Sequence, residues 1–356
     1  MLNCKNRLHR LPISVLLVLS LFLGTVLSGC GLNNNKSVSK SSFYFNTIIT
    51  LTLYGTDKED AIDECFHLAS RYENLLSNTI EGSEISQINA LAGSGEYVTV
   101  SDETLEVLED GIRYCELSQG AFDITIGKLS SLWNISEIAA SLSDENNEAD
   151  ASCIPSQQAI EEALSTVDYT ALEIRGNQVR LNTPGAMLDL GAIAKGFIAD
   201  KMKDCLKSAG IKSALINLGG NVLTLGSKTN GSDFVVGIQK PFDDTGIPLA
   251  TVSLSDKSAV TSGIYERYFR VDDKIYHHIL DLSTGYPCEN ELDSVTIISD
   301  SSMDGDALST TCFVLGSEKG MQLIEELDGI EAVFVTENLE YLTSSGLEAY
   351  SFAEYK

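Results

Sequence analysis

The chain has 356 residues, of which 43% are hydrophobic, so it can form a large core and is not a disordered polymer. Its 24 Lys and Arg residues stand against 51 Asp and Glu residues, which gives a formal net charge of −27. Proteins that bind nucleic acid need a basic surface for the phosphates, so we expect no nucleic acid as a partner. An acidic surface also repels anionic lipid, which argues against membrane docking through charge alone.

The first thirty residues have the pattern of an export signal. A basic start over residues 1–10 is followed by an apolar run over residues 11–27, and Leu-Ser-Gly then precedes Cys30. A basic start, an apolar stretch and small residues at a cleavage site are typical of a signal peptide. The ending resembles the bacterial lipoprotein box, in which the signal is removed and the cysteine carries the lipid. We therefore predict a lipoprotein signal peptide over residues 1–29 and lipidation of Cys30.

A membrane-spanning anchor is the alternative, because the apolar run is close to the length of a bilayer span. Residues 30–42 are polar and without periodicity, which predicts a lipidated flexible tether. Residues 43–356 would then form the working domain, anchored to the cell membrane by lipid on the extracytoplasmic side, whether periplasmic or on the outer face. Without residues 1–29 the net charge of the chain is −30.

Helical and strand periodicities alternate along the predicted domain and indicate an α+β architecture. Residues 141–151 are acidic and nearly free of large apolar side chains, so we expect an exposed insertion there. The predicted helices are one from Asp57 and others over 101–118, 156–165, 191–210 and 303–315. The predicted strands are an opening strand over 43–55, short strands around 171–181, the runs SALINL, NVLTLG, DFVVGIQ, ATVSL, KSAV and SVTIIS, a hairpin over 268–280 centred on Asp272-Asp273, and a final strand over 331–335.

Six cysteines follow the lipidation site, and no CxxC pair occurs among them, which leaves a zinc or redox motif unsupported. Several lie within apolar patterns, as small core residues do. An even number in an exported chain permits disulfides, but the sequence does not reveal their pairing. The six are Cys65, Cys115, Cys153, Cys205, Cys288 and Cys312.

Asp306 and Thr310 form the first of four groups of residues that could carry chemistry. Positions i and i+4 of a helix share a face, so a carboxylate and a hydroxyl would offer two hard oxygens to one point. Mg²⁺ prefers such ligands and keeps other positions open for water and phosphates. The alternative is structural: a carboxylate near a helix N-terminus and a threonine bonded back to a carbonyl.

The segment over residues 188–196 forms the second group. Asp189 would end an apolar strand, and Gly191 opens the way to a helix, a junction that presents free backbone groups to a ligand. Lys195 could reach a phosphate as a point charge. A capped helix start with a surface lysine is the alternative.

The third group is GAFDITIG over residues 120–127, where small residues flank an aromatic ring and a carboxylate. Such a segment suits the close approach of a flat ring to the backbone, and an ordinary turn beside a buried Phe is the alternative. The fourth group joins Thr-Ser-Gly over residues 261–263 to His277 and His278. Neighbours in a strand point to opposite faces, so at most one of these histidines is expected to face a given pocket. A core or surface histidine is the alternative.

Together and in this order, these groups resemble the ApbE family of flavin transferases, the FAD:protein FMN transferases. The similar segments run from Phe45 to about Val335 and include SNTIEGSEISQINA, GAFDITIGKLSSLW, LDLGAIAKGFIAD, ALINLGGN, VGIQKP, SAVTSGIYERYF, HHILDLSTGYP and DGDALSTTCFVLG. One such motif would be weak, whereas eight in family order are specific. The resemblance implies an α+β, T-fold-like domain with a mixed sheet and packed helices.

The resemblance also implies a reaction and its site. The family uses Mg²⁺ and moves FMN from FAD onto a Thr or Ser side chain of a target protein, with release of AMP. Its targets are extracytoplasmic flavoprotein subunits of redox complexes. Carried over by position, the Ala192 carbonyl and the side chains of Asp306 and Thr310 would bind the metal, and His278 matches the functionally important histidine. The residues expected to contact FAD are Ala121, Phe122, Asp123, Asp189, Lys195 and the backbone of Leu280.

Two positions depart from the family pattern. Family members often have Met-Gly-Thr near the first strand, where this chain has Phe45-Asn46-Thr47, and an aromatic residue at the position of Thr79. Both changes remove groups that could pack against a flavin, so we expect them to affect FAD affinity more than the chemistry. Two alternative functions stay open: a pyrophosphatase that splits FAD into FMN and AMP, and a lipoprotein that binds flavin without reaction.

Overall fold

An eight-stranded antiparallel sheet forms the centre of the described chain, which comprises residues 36–142, 147–243 and 246–355 of this computed structural model. The strands in chain order are β1 (Ser37–Tyr44), β2 (Thr47–Tyr54), β3 (Val98–Thr99), β4 (Leu172–Arg175), β5 (Gln178–Leu181), β6 (Ala214–Leu218), β7 (Asn221–Leu225), β8 (Phe234–Gln239), β9 (Pro248–Leu254), β10 (Ser258–Gly263), β11 (Tyr268–Val271), β12 (Lys274–His277), β13 (Leu292–Ser299), β14 (Glu331–Thr336), β15 (Tyr341–Thr343) and β16 (Ala353–Glu354). The central sheet has the order β1-β2-β6-β7-β10-β13-β14-β15, and three small sheets have the orders β16-β9-β8, β3-β5-β4 and β11-β12.

The helices pack around these sheets and confirm the α+β class. They are α1 (Glu59–Leu76), α2 (Glu84–Ala90), α3 (Asp102–Leu117), α4 (Gly127–Trp133), α5 (Ile135–Ser141), α6 (Gln157–Leu164), α7 (Ala194–Ser208) and α8 (Ser302–Glu325), with single 3₁₀ turns at Ala151–Cys153, Tyr169–Ala171 and Leu347–Tyr350. Serine side chains cap the N-termini of α2, α3, α6 and α8, which explains why these helices begin where they do. The named strands pair antiparallel throughout, which refines the mixed sheet that was expected.

The central sheet is covered on both faces. Helices α1, α7 and α8 lie on one face, where the inward side chains of β2, such as Leu51, join the main core. The small sheet of β8, β9 and β16 covers the other face over β10, β13 and β14. Because it is covered twice, β13 is buried at every position, and the four polar residues of this strand are buried together with its apolar ones.

A smaller core lies beside this sandwich, between helices α4, α5, α6 and the β11–β12 hairpin. The chain's only tryptophan, Trp133, is buried at its centre, where it stacks on Tyr276. Its indole N–H donates to the carbonyl of Gly285 at 2.7 Å. This bond attaches the loop after His278 to the helices that precede it.

The predicted tether is wrong over its last six residues. Residues 37–42 belong to β1, which pairs with β2 from Ser37 to Tyr44. The strand is an edge strand whose outward face is a row of serines, with Ser39 and Ser41 hydroxyls bonded to Thr52 and Thr50 across the pair. The sequence analysis predicted no strand here because the segment is polar, and an edge strand needs no continuous apolar face. The signal peptide and Cys30 lie outside the described residues.

The opening strand predicted over 43–55 is in fact the second half of a hairpin. Phe45 and Asn46 form its two-residue turn with φ of 53° and 55°. Positive φ at both positions is the geometry that matches the twist of the paired strands. The hairpin predicted at Asp272-Asp273 is confirmed, with φ of 50° and 65° at its turn.

Four other boundaries differ from the predictions. Helix α7 begins at Ala194, after a turn, and the segment of Asp189 is extended but not a strand. Helix α8 continues past 315 to Glu325 across a break at Gly316, whose φ is 76° and ψ is 177°. The strand over 331–335 is not the final one, since β15 and β16 follow it.

The acidic insertion is only partly separate from the domain. Residues 143–146 lie outside the described residues, but Asn147 and Ala149 bond to the backbone of Arg270 in β11. The returning limb of the insertion therefore extends the small hairpin sheet at its edge.

All six cysteines after Cys30 are free thiols, and Cys65, Cys115, Cys288 and Cys312 are buried as predicted for core residues. Within the described ranges, no helix has both the length and the apolar character needed to cross a bilayer.

Candidate functional site

The N-terminal ends of α7 and α8 meet at close range. A Cβ at Gly196 would overlap the carbonyl oxygen of Ser302 and the Cα of Met303, so only glycine permits this approach. Asp200, one turn further along α7, accepts from the amides of Ser302 and Met303 at 2.9 and 3.0 Å. Burial raises the pKa of Asp200, and these amide bonds oppose the rise. The two contacts fix α8 against α7 beside the candidate site.

Asp306 is placed at this junction, with 3% of its surface exposed. Its Oδ1 accepts from Lys195 Nζ at 3.1 Å, and its Oδ2 accepts from the amide of Gly196 at 3.0 Å. Lys195 Nζ also donates to the carbonyl of Gly191 at 3.2 Å. The structure thus brings together a carboxylate and a lysine that are 111 positions apart in sequence.

The oxygens expected to bind Mg²⁺ are available around Asp306. In a regular helix the amide of Gly196 would bond the carbonyl of Ala192, but here it donates to Asp306 instead. In the described chain, no backbone amide donates to the Ala192 carbonyl. Thr310 lies one turn after Asp306, and its hydroxyl is 3.1 Å from Ser262 Oγ on β10.

This donor set fits Mg²⁺. A carboxylate, a carbonyl and a hydroxyl are hard oxygen ligands, and three of them leave positions for water and phosphate. No cluster of three or more His, Cys, Asp or Glu side chains able to hold a metal occurs in the described parts of the chain.

Asp189 holds the turn before α7. Its Oδ1 accepts from the amide of Gly191 at 2.9 Å, and its Oδ2 accepts from Ser130 Oγ of α4 at 2.7 Å. Its own amide donates to the carbonyl of Ile124 at 2.8 Å. The carboxylate thus joins the second sequence group to the third, GAFDITIG, and positions the turn that carries Ala192.

Within the third group, Asp123 is a structural anchor. Its Oδ1 accepts from the amide and the hydroxyl of Thr125, both at 2.7 Å, and its Oδ2 accepts from the amide of Tyr169 at 3.0 Å. Burial raises its pKa, and these donors oppose the rise. Asp123 and Gly120 line a cavity of about 280 Å³ together with Asp168 and Tyr169.

Phe122 and Ala121, between Gly120 and Asp123, differ in burial. The Phe122 ring is buried and packs edge-on against Tyr114 at 6.2 Å between centroids, so the ring is a core side chain. Ala121 is partly exposed. For the Phe122 ring, the alternative interpretation of this group as an ordinary turn beside a buried Phe is therefore correct.

The two histidines have different environments, as the strand alternation predicted. His277 is buried; its Nε2–H donates to the carbonyl of Cys288 at 2.9 Å, and its Nδ1 accepts from the amide of Ile279. Burial lowers the pKa of His277 to about 4. These bonds use both ring nitrogens, so His277 is a structural residue.

His278 keeps one ring nitrogen free. Its Nδ1 lies 3.3 Å from the carbonyl of Arg267, which can only accept, so Nδ1 carries the proton. Nε2 then holds a lone pair, and no described group is bonded to it. Loss of surrounding water lowers the pKa of His278 well below its usual value, and the charge of Arg267 lowers it further. The imidazole is therefore neutral at physiological pH and in the tautomer of a base.

Leu280 presents its backbone next to this histidine. It opposes Pro287 in an antiparallel bridge whose hydrogen bonds are made by Ile279 and Asp281, its neighbours on either side. In such a pair the central residue directs its own N–H and C=O away from the partner strand. The leucine side chain is buried, so the backbone is the part of Leu280 that can meet a ligand.

Two charged residues near the site were not predicted. No sequence motif pointed to Asp200, and its role of binding the first amides of α8 is visible only in the packing of α7 against α8. Glu266 lies in the loop after β10, and its residue is exposed on one side while protein packs around its carboxyl group on the others. The partial loss of water around the carboxyl raises its pKa to about 7; the charges of Lys195 and Arg267 oppose this rise, and that of Asp306 adds to it. Its position in the YER segment, within a motif of the resemblance, was the only sequence signal.

The two positions that depart from the family pattern lie in the turn between β1 and β2 and in the turn after α1. The amide of Phe45 donates to Glu73 Oε1 on α1 at 2.6 Å. Thr79 lies in the turn after α1, where its amide and hydroxyl bond to Ser77 Oγ. Each is held by the protein's own groups, so neither change disturbs the local fold.

The chain is similar in sequence to known proteins of one family. The family model described as the ApbE family matches residues 45–334. An FAD:protein FMN transferase from Klebsiella pneumoniae is 39% identical over 88% of this chain and 94% of its own length. One from Treponema pallidum is 35% identical over 88% of each chain.

Solved structures show the same fold. The flavin transferase ApbE from Vibrio cholerae superimposes with a TM-score of 0.77 at 27% identity, covering 88% of this chain and 99% of that one. The apbe protein from Thermotoga maritima gives the same TM-score at 29% identity and the same coverage. Because the family model matches most of the sequence and two relatives exceed 30% identity over most of both chains, the chain belongs to the ApbE family.

Proposed function

We propose that this protein transfers FMN from FAD to a Thr or Ser side chain of an extracytoplasmic flavoprotein, with Mg²⁺ bound and AMP released. The observation that carries the proposal is the junction of α7 and α8, where Lys195 and the amide of Gly196 bond to Asp306. Ala192 precedes Gly196 by four positions, and Thr310 follows Asp306 by one helical turn. Curated relatives that match most of the chain are named FAD:protein FMN transferase, which supports the same reaction class.

Asp306, Thr310 and the Ala192 carbonyl would hold the magnesium ion. When bound, Mg²⁺ supplies positive charge that stabilises phosphoryl oxygens as a pyrophosphate is broken. The buried position of Asp306 strengthens its interaction with any cation, because little water screens it. The amide of Gly196 and the ammonium of Lys195 orient the carboxylate from two sides.

Lys195 would neutralise negative charge on a phosphate of FAD. Its ammonium group lies between Asp306 and the Gly191 carbonyl at the start of α7. A cation near a helix N-terminus adds to the partial positive charge of the free amides there. We therefore infer that Lys195 neutralises the negative charge that Mg²⁺ leaves on the diphosphate of FAD.

His278 would accept the proton of the acceptor hydroxyl. The hydroxyl oxygen attacks the phosphorus of the FMN moiety, the bond to the AMP oxygen breaks, and AMP leaves. The hydroxyl proton passes to Nε2 of His278, whose tautomer leaves that nitrogen free. A positioned base of this kind contributes roughly 10²–10⁴-fold to the rate.

The cellular location is part of the proposal. The pattern at residues 1–30 supports export and lipidation of Cys30, so the domain would act on the extracytoplasmic side of the cell membrane. Mass spectrometry of the protein extracted from the membrane fraction tests this: we expect a diacylglyceryl group on an N-terminal Cys30. An intact N-terminus at Met1 would contradict it.

The reaction is tested by incubating the mature chain with FAD, Mg²⁺ and extracytoplasmic flavoprotein subunits as acceptors. We expect flavin fluorescence on the denatured acceptor in a gel, and AMP in equal amount. Free FMN with AMP and no labelled acceptor would indicate the pyrophosphatase. FAD binding with no AMP at all would indicate a binding protein.

Asp306→Asn provides the matched variant, because it keeps an oxygen that can accept from Gly196 and removes the charge. We expect transfer to fall by about 100-fold or more, as charge-stabilising groups typically contribute that much. Glu291→Gln, at a carboxylate bonded to Ser317 away from the site, is the control and should leave the rate unchanged. Near-normal activity of the Asp306 variant would rule out the metal assignment.

A further inference from the structure

Helices α1 and α7 pack with a register that places two cysteines opposite each other. Tyr72 of α1 contacts Phe197 of α7 edge-on, with ring centroids 5.4 Å apart. Cys65, seven residues before Tyr72, lies near Met202, and its thiol points to the Met202 carbonyl at 3.8 Å. Going back along α1 therefore corresponds to going forward along α7, as in an antiparallel pair. This register puts Cys65 beside the turn that contains Cys205.

Cys205 lies on the same face of α7 as Met202, because positions three apart in a helix are neighbours. Each thiol affects the pKa of the other, which agrees with the proximity that the helix register gives them. Cys65 is fully buried, whereas Cys205 is partly exposed at the helix surface. One sulfur of the pair can thus be reached from solvent and the other only through its partner.

We propose that Cys65 and Cys205 form a disulfide that ties α1 to α7. The two residues are free thiols in this structure and lie on facing turns of the two helices, so their side chains must turn toward each other for the bond to form. The inference does not depend on the proposed function, since it concerns helix packing alone. It does bear on the site, because α7 carries Lys195 and Gly196 at its other end.

Bond formation needs a disulfide as oxidant, and glutathione disulfide serves in the experiment. The Cys205 thiolate attacks one glutathione sulfur and releases a glutathione thiolate. The Cys65 thiolate then attacks the Cys205 sulfur of the mixed disulfide and releases the second. Two protons leave the protein and two electrons pass to glutathione disulfide, which becomes two glutathione molecules.

Burial raises the pKa of both thiols, so few thiolates are present at neutral pH. Slow exchange in the folded protein follows, since the thiolate is the reacting species. Two further buried cysteines, Cys115 and Cys312, have no described thiol neighbour and serve as internal controls.

The test treats the mature chain with excess glutathione disulfide at alkaline pH, blocks the remaining thiols and digests without reduction. We expect a peptide that links Cys65 to Cys205, four blocked cysteines in the other positions, and a rise in Tm of about 5 °C or more, because the closed loop is long. Reduction should reverse the rise. Six blocked thiols, or a linked peptide that involves other cysteines, would overturn the proposal.

Cys205→Ser and Cys65→Ala should each abolish the linked peptide and the oxidant-dependent rise in Tm. Cys115→Ser should keep both. FAD binding, followed by flavin fluorescence with Mg²⁺ present, is measured on the same samples. Loss of FAD binding in every sample would count against the proposed function, while the linked peptide alone decides the disulfide.

Discussion

The amide of Gly196 donates to Asp306 Oδ2 at 3.0 Å, and this bond joins the start of α7 to the first turns of α8. In a regular helix this amide would donate to the carbonyl of Ala192, so the bond to Asp306 leaves that carbonyl without its helical donor. One contact therefore orients a carboxylate and leaves a carbonyl oxygen without its usual partner. The chemistry of the site follows from how closely two helices approach.

Gly196→Ala tests that approach. The added methyl group would overlap the backbone at Ser302 and Met303, so α7 and α8 must separate. We expect a loss of about 1–3 kcal/mol in the free energy of unfolding, as overpacking typically costs, together with weaker binding of Mg²⁺. Urea unfolding and magnesium titration measure the two effects. Ser208→Ala, at an exposed position of the same helix, is the control, and an equal loss there would contradict this explanation.

Thr310 is tested by a pair of substitutions. Thr310→Val keeps the shape and removes the hydroxyl, whereas Thr310→Ser keeps the hydroxyl that lies near Ser262. We expect the valine variant to need at least about tenfold more Mg²⁺ for half-maximal activity, because one of three protein oxygens is lost. The serine variant should behave nearly as the parent. Equal magnesium requirements in both variants would remove Thr310 from the ligand set.

The role of β1 is tested by truncation. A chain that begins at Lys36 keeps β1, whereas one that begins at Phe43 loses six of its eight residues. Without β1, the edge of β2 is uncovered, and its unpaired backbone groups can join another copy. We expect the shorter chain to have a lower Tm and to aggregate, as seen by calorimetry and light scattering. Similar behaviour of the two chains would show that β1 adds nothing to the domain.

The lowered pKa of His277 makes the free energy of unfolding depend on pH. Its pKa is about 4 in the folded protein, below its ordinary value of about 6.5, because burial disfavours the charged form. Between these values the unfolded chain binds more protons than the folded chain, so acid favours unfolding. The stabilisation is complete above pH 6.5 and is lost as the pH falls toward 4, by up to about 3 kcal/mol.

His277→Gln should flatten this dependence while keeping a donor for the Cys288 carbonyl. Urea unfolding at neutral pH and near pH 5 measures the slope for each variant. His67→Gln, at an exposed position on α1, serves as the comparison and should keep the parent's slope. An unchanged slope in the His277 variant would assign the acid sensitivity to other groups.

Local patterns were enough to find most elements and the chemical groups. The serine at position 101 marked the start of α3, and the Asp272-Asp273 pair marked a hairpin, because caps and tight turns depend on a few adjacent residues. The order of the motifs was enough to suggest the family. The polar edge strand β1 was missed, since its stability comes from pairing with β2 and not from an apolar face of its own.

The sequence by itself determined which residues could be ligands: a carboxylate and a hydroxyl four positions apart, a lysine after a glycine turn, and two adjacent histidines. Only the tertiary structure decided which of them act together. It separated a structural His277 from a His278 with one free nitrogen, and it revealed Asp200 as the group that joins α8 to α7. These outcomes depend on contacts between residues up to 111 positions apart, and local periodicity carries no information about such distances.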